Sequence, residues 1–483
     1  MDCRVLFCNE ALNYEKIMRI LSAIKSFYRI PKPSSLKVEE AKQEKLFKAF
    51  GFQTFLAGTI GYSLYYVCRT SLNVVKKPII DSGMLDASQL GLIGSVLLFA
   101  YAIGKFVNGF LADHCNIKRF MATGLVVSAT ANFILGILGF ASETMSTMLL
   151  CTLFAIMWGI NGWSQSMGAP PAIIGLSRWF PLSKRGTFYG FFSLSHNLGE
   201  WLSFLFVGIL VSVAGWQWGF VGSSIAGVVG VIVIVFLMHD NPQSKGLPSV
   251  EEMSGEAKVE EKKQESTGEL QKMVLKTPAV WILAAASAFM YIARYAINGW
   301  GVLFLQEEKG FSLTEATSII SINALLGIFG TVLSGWVSDK LFRSDRYIPA
   351  LIFGAMNTVA LVLFLFGGDA WWINITAMVL FGISIGVLIC FLGGLMAVDI
   401  VPRKATGAAL GVVGMASYIA AGIQDVVSGW LIDGNSTMFE KLDEATGQMV
   451  QATQYDFTSV ALFWVIASAI SFLLPVLNWK YRK

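Results

Sequence analysis

The chain has 483 residues, 55% hydrophobic and only 14% charged, with a formal net charge of +4 and a mean hydropathy of +0.61. A soluble protein carries nearer a quarter charged residues, so the composition excludes a large soluble domain and indicates a polytopic membrane protein. The basic residues are scattered over short loops, which speaks against a nucleic-acid partner. The six cysteines (Cys3, Cys8, Cys68, Cys115, Cys151, Cys390) lack paired or metal-like spacing and read as free thiols.

The first residues hold no apolar core of the kind a cleavable signal needs. Residues 1–48 read as a basic, amphipathic cytoplasmic arm, and residues 1–17, ahead of Met18, as a start-site extension. Apolar stretches of about twenty residues then predict twelve membrane helices. They lie near 50–75, 88–112, 119–141, 146–170, 187–213, 217–238, 278–305, 314–338, 347–367, 371–398, 404–431 and 457–479. A polar segment, 239–277, separates an N-terminal six-helix bundle (49–238) from a C-terminal one (278–483) and reads as a cytoplasmic linker.

Lys118, Arg119, Arg178, Lys184, Arg185, Lys340, Arg343, Arg346, Arg403, Lys404, Lys480, Arg482 and Lys483 all fall on one side of this arrangement. The opposite loops carry mainly Lys76, Lys77, Lys309 and Lys441, mixed with acidic residues. The positive-inside rule then places both termini in the cytoplasm, and 433–456 becomes the longest external loop.

Two charges violate the apolar pattern. Arg69 follows the run Gly61-Tyr62-Ser63-Leu64-Tyr65-Tyr66-Val67-Cys68, and Arg294 follows Met290-Tyr291-Ile292-Ala293. A guanidinium keeps its proton, and at the centre of a membrane helix it costs about 3 kcal/mol on insertion scales. The two arginines are 225 residues apart (294 − 69), and each follows a tyrosine by three positions. Gly109-Phe110-Leu111-Ala112-Asp113 recurs as Gly335-Trp336-Val337-Ser338-Asp339, 226 residues later (335 − 109). Pro181 and Pro402 precede basic pairs at an offset of 221 (402 − 181). These offsets indicate two parallel six-helix repeats related by an axis along the membrane normal, with one anion site shared between the halves.

Five segments carry a family resemblance: Gly61 through Arg69, Tyr101 through Lys105, Lys184-Arg185-Gly186-Thr187, Ser195-His196-Asn197-Leu198-Gly199, and Tyr291 through Arg294. With the repeated Gly-x-x-x-Asp loop, they make the chain after about residue 45 resemble the major facilitator superfamily. Within it, the chain is similar to the organophosphate:phosphate antiporters, which include bacterial hexose-phosphate and glycerol-3-phosphate transporters. The resemblance implies an all-α fold of twelve helices in two bundles, a monomer in the inner membrane in contact with lipid, and no cofactor. It implies that Arg69 and Arg294 hold a substrate phosphate, that Lys105 and His196 share the cavity, and that Tyr62, Tyr66 and Tyr291 line it. Trp300 is expected to help them frame a sugar. The implied activity is exchange of a sugar phosphate, glucose 6-phosphate foremost, for inorganic phosphate. Glycerol 3-phosphate exchange is an alternative, as is a sugar-phosphate receptor that signals to a kinase.

Each residue also has a plainer reading. A membrane arginine can be an interhelical pairing residue, with Glu200 as its partner; Lys105 can snorkel, and His196 can be a packing residue. Glu200 stands where the family usually shows a second glycine, four residues after His196 and on its helical face. A carboxylate there can pair with Lys105 or His196, contact a sugar hydroxyl or couple a proton. The charged pair that some hexose-phosphate carriers hold in helix eleven is replaced by Leu410 and Val413, and the usual Gly-Pro is missing from Gly382–Gly394. No phosphate-binding P-loop, zinc-protease motif or nucleophile elbow is present, so neither an enzyme nor a metal is expected.

Overall fold

A computed structural model describes residues 18–19, 22–255, 272–343, 345–401, 405–442 and 449–481. The expected start-site extension (1–17), much of the linker, and Pro402, Arg403, Lys404, Arg482 and Lys483 lie outside the described residues. The principal helices are α1 (Glu40–Asp81), α2 (Ala87–Asp113), α3 (Ile117–Phe140), α4 (Thr147–Gln165), α5 (Ala169–Trp179), α6 (Leu182–Ser193), α7 (Ser195–Ala214) and α8 (Trp216–Leu237). After the linker come α9 (Pro278–Glu307), α10 (Leu313–Trp336), α11 (Tyr347–Phe366), α12 (Trp371–Cys390), α13 (Thr406–Gly434) and α14 (Thr458–Leu473).

Among the described residues, eleven helical stretches are long and apolar enough to cross a membrane. The expected first span lies within α1 and is not among them. Thr54, Ser63, Arg69, Thr70 and Ser71 lower its apolarity, yet all of them are buried against other helices. The protein is thus a predominantly helical membrane protein.

Several boundaries differ from expectation for physical reasons. Helix α1 runs on to Asp81, so Lys76 and Lys77 sit in a helix rather than a loop. The fourth predicted span is broken at 166–168, because Pro170 and Pro171 at the start of α5 offer no N–H to the preceding carbonyls. Its counterpart α12 passes at Cys390 into a π-helical turn (Phe391–Leu395). The two breaks follow Gln165 and Cys390, 225 positions apart (390 − 165), so the repeat extends to the helix irregularities. The fifth predicted span breaks at Leu194 between α6 and α7. The expected external loop holds an antiparallel hairpin, β1 (Ser436–Leu442) and β2 (Met449–Tyr455), in a register that pairs Ser436 with Tyr455.

The bundles meet along two seams, α2 on α13 and α7 on α10. Glycines record how the gap widens along each. In the first seam, a Cβ on Gly94 would stand 1.8 Å from Asp425 Oδ2, and one on Gly429 would stand 2.5 Å from the Ala87 carbonyl oxygen. Further along, a Cβ on Gly414 would lie 3.6 Å from Lys105 Nζ, and neither Gly109 nor Gly411 has a neighbour within 4 Å. The second seam behaves alike: Gly208 abuts Thr317 and Gly327 abuts Asn197, while Gly190 and Gly335 face open space. The bundles therefore touch at the end that holds Ala87 and Gly429 and splay apart at the basic end.

Ion pairs fasten the closed end. Lys76 of α1 lies 3.4 Å from Asp425 of α13, with side chains only 1% and 9% exposed. Trp300 of α9 donates its Nε1–H to the same carboxylate at 2.6 Å, and its ring centroid lies 3.4 Å from the Lys76 ammonium. Lys77 pairs with Glu307, and Ser88 Oγ donates to Asp433 at 2.9 Å.

At the basic end, the start of the linker is strapped to the N-terminal bundle. Asp240 accepts from the Ile117 backbone N–H at 2.7 Å and pairs with Arg178 at 2.9 Å. The arm runs beside it: the backbone N–H groups of Ser34 and Val38 donate to the carbonyls of Gln243 and Gly246 at 2.9 and 3.0 Å.

Removing one member of a buried ion pair leaves the other charged and unpaired in low dielectric, at a cost of about 3–5 kcal/mol. Asp425→Asn should therefore loosen the closed end. In a protein stripped of its native cysteines and carrying Ser88→Cys, maleimide labelling should speed up by about tenfold, the factor that 1.4 kcal/mol represents. Lys76→Gln added to Asp425→Asn should reverse part of that gain; labelling unchanged by Asp425→Asn would mean that the pair does not hold the seam.

Candidate functional site

Arg69 and Arg294 come from corresponding helices, α1 and α9, at the bundle interface, and are 4% and 6% exposed. They converge on Tyr295. Arg69 Nη2 donates to the Tyr295 hydroxyl at 3.0 Å, and the Arg294 guanidinium carbon lies 5.9 Å from the centroid of the same ring. The three-residue spacing from tyrosine to arginine has the consequence expected of one helical face. Tyr66 lies 5.3 Å from the Arg69 guanidinium, and Tyr291 lies 5.8 Å from that of Arg294.

Aromatic faces carry much of the charge compensation. Arg69 sits 4.2 Å from the Tyr101 centroid and 5.5 Å from that of Tyr418, and Lys105 Nζ lies 5.2 Å from Tyr418. Tyr101 and Tyr418 come from opposite bundles and pack with centroids 4.6 Å apart; Tyr291 packs edge-on against Tyr418 at 5.4 Å. Ring quadrupoles attract cations without supplying a competing anion. Arg69 thus meets ring faces and one hydroxyl, with no carboxylate among these partners.

Lys105 lies one turn beyond Tyr101 on α2 and is exposed in the widening gap. His196 is half-buried at the start of α7, its ring 6.0 Å from Tyr66. Tyr62 packs edge-on against Tyr66 at 5.5 Å and tilts against Phe192 at the same distance. Tyr62, Tyr66, Tyr291, Lys105 and His196 thus fall around the two arginines.

Trp300 is placed away from the arginines, and Glu200 meets the plainer reading, as partner of a membrane arginine. Trp300 is six positions beyond Arg294, which turns it to another face of α9. It is fully buried against Asp425 and Lys76 and does not frame the arginine cavity. Glu200 pairs with neither Lys105 nor His196. Its Oε2 lies 3.4 Å from Arg294 Nη2, and its Oε1 accepts from Asn298 Nδ2 at 2.8 Å. The i+4 spacing from His196 gives a shared helical face but not a shared direction, and the bundle interface brings Arg294 nearer.

A small cavity is lined by Tyr66, Arg69, Glu200, Tyr295 and Asn298 and reaches Asp425 of the closed end. Sequence reasoning did not assign Tyr101, Tyr295, Asn298 or Tyr418 a role. Helical spacing flags three of them: Tyr101 precedes Lys105 by four, Tyr295 is next to Arg294, and Asn298 follows Arg294 by four. Nothing local flags Tyr418, which meets the others only because α13 packs on α2. No group of His, Cys, Asp or Glu side chains among the described residues is arranged to hold a metal ion.

Residues 58–424 match the sequence profile of the Major Facilitator Superfamily. A probable hexose phosphate transport protein of Chlamydia pneumoniae is 32% identical over 82% of this chain and 88% of its own. A glycerol-3-phosphate transporter of Bacillus subtilis is 32% identical over 83% and 91%, and the membrane sensor protein UhpC of Escherichia coli K12 is 30% identical over 84% and 90%. Among solved structures, a bacterial homologue of the human lysosomal transporter Spinster, inward-facing and unoccupied, superposes with a TM-score of 0.69 at 18% identity, covering 90% of this chain and 99% of that one. At that identity the likeness speaks to the fold alone. On the strength of the profile and the full-length relatives, the chain belongs to the major facilitator superfamily and, within it, to the organophosphate:phosphate antiporter family.

Proposed function

We propose that this protein is a secondary carrier exchanging a sugar phosphate, glucose 6-phosphate foremost, for inorganic phosphate by alternating access. The observation that carries the reading is the convergence of Arg69 and Arg294 from opposite bundles on one tyrosine. A phosphate monoester is close to a dianion near neutrality, and planar guanidinium forks match its oxygens in pairs. An anion bound between them draws the bundles together, and without one the approach of two cations in low dielectric is opposed. Lys105, at the mouth of the gap, guides the anion in, and the tyrosines offer ring faces and hydroxyls to a sugar.

The hexose phosphate transport relative supports the choice of cargo. With basic loops in the cytoplasm, the splayed end faces inward, and Lys76, Asp425 and Trp300 close the external side of an inner-membrane protein whose termini are both cytoplasmic. The glycerol-3-phosphate transporter favours a smaller cargo as the second reading, and the sensor relative favours a receptor that binds without transport.

Vesicles loaded with phosphate and reconstituted with the protein separate these readings. Uptake of labelled glucose 6-phosphate that depends on internal phosphate is the expected result; saturable binding without uptake would replace the carrier with a receptor. In the same assay glucose 6-phosphate should compete for phosphate exchange better than glycerol 3-phosphate does, and the reverse order would move the cargo to the triose-sized ester.

Arg69→Lys and Arg294→Lys test the clamp directly. An ammonium keeps the charge but loses the paired donors, so each change should lower phosphate exchange by more than about tenfold, equivalent to 1.4 kcal/mol. Near-normal phosphate:phosphate exchange in either variant would remove that arginine from the clamp.

A further inference from the structure

The two-arginine clamp leaves Glu200 without a task. It rises from α7 of the N-terminal bundle, is 5% exposed, and has both carboxylate oxygens engaged by α9 of the other bundle. Arg294 lies 3.4 Å from Oε2, and Asn298 donates to Oε1 at 2.8 Å. The amide stands one helical turn beyond the guanidinium, so α9 presents a cation and a donor together and the carboxylate bridges them. The Arg294 and Glu200 side chains are each 7% exposed, which leaves their attraction little screened. Arg69, by contrast, is held by a tyrosine hydroxyl and by aromatic faces. The two halves of the clamp therefore differ: one guanidinium is open to an incoming anion, and the other already holds one that belongs to the protein.

We infer that Glu200 is a tethered counter-anion for Arg294, standing in for the substrate phosphoryl group in the unloaded carrier and giving the protein a net transport mode beside strict exchange. The inference rests on the carrier reading above. A carrier with two bare guanidiniums returns empty only by bringing two unpaired cations together in low dielectric, and so must exchange. Here one of the cations is neutralised across the bundle interface before any cargo binds, and the empty bundles keep a path for rocking. Substrate and carboxylate compete for Arg294, so the apparent affinity for phosphate is lowered by the fraction of time the carboxylate holds it.

The full-length protein in proteoliposomes, with labelled inorganic phosphate as the probe, decides the matter. Net influx into phosphate-free vesicles and exchange into phosphate-loaded vesicles are measured on the same preparations. The parent should show both flows. Glu200→Gln should lower the ratio of net influx to exchange by about tenfold or more and lower the KM for phosphate, because the resident competitor is gone. Asn298→Ala removes the second tie on the carboxylate without altering the charge and should move both readings in the same sense by a smaller factor. A parent with exchange but no net influx overturns the inference and leaves the carrier reading intact. An unchanged ratio in Asn298→Ala does the same, whether or not Glu200→Gln assembles. Loss of exchange in the parent itself would instead remove the carrier reading, and the inference with it.

Discussion

Two permanently charged guanidiniums meet at one tyrosine in the middle of a structure built for lipid, and the rest of the molecule makes that arrangement tolerable. Desolvating a cation is expensive, and this protein spreads the compensation over several kinds of group. Aromatic faces lie around Arg69, a carboxylate and aromatic rings surround Arg294, and Lys105 is left in the open gap. Each solution keeps hydrogen-bonding capacity available. A site satisfied wholly by carboxylates would be stable and inert towards anions. One with no compensation would not hold its two bundles together.

Closure at the opposite end follows a different chemistry. There the Lys76–Asp425 pair is buried, the indole of Trp300 supplies both a donor and a ring face, and glycines let the backbones of α2 and α13 touch. Backbone contact at Gly91 and Gly429, and the Asp425 carboxylate against Gly94, hold only while the two helices keep their register. The proposed clamp and the closed-end contacts are separated along the same helices. Arg69 and Lys76 are seven positions apart on α1, and Arg294 and Trp300 are six apart on α9.

That separation also explains what could be read from the chain. The arginines were legible because an isolated charge in an apolar run stands out and because the repeat offset paired them. Their flanking tyrosines followed from helical spacing. Trp300 was misplaced because nearness in sequence to Arg294 is not nearness in direction, and six residues on a helix turn the side chain by about 120°. Tyr418 was invisible: a tyrosine in a membrane helix has many ordinary uses, and its approach to Lys105 is fixed by bundle packing alone. Glu200 was legible as an anomaly and as a partner open to a membrane arginine; which of the two arginines it meets is set by packing across the interface. Proline and the matched interruptions of α4 and α12 show the same limit, since hydropathy counts apolar residues and not backbone donors.

The strapping of the early linker to the N-terminal bundle changes what the connection between the halves can do. Asp240, Gln243 and Gly246 are bonded to the first residue of α3, to α5 and to the arm, so those residues are fastened to the first bundle. The far end of the connection is fixed as well: the Leu275 carbonyl accepts from Trp281 Nε1–H of α9 at 2.9 Å, and Val274 is buried. Each described end of the connection is thus fastened to the bundle it adjoins.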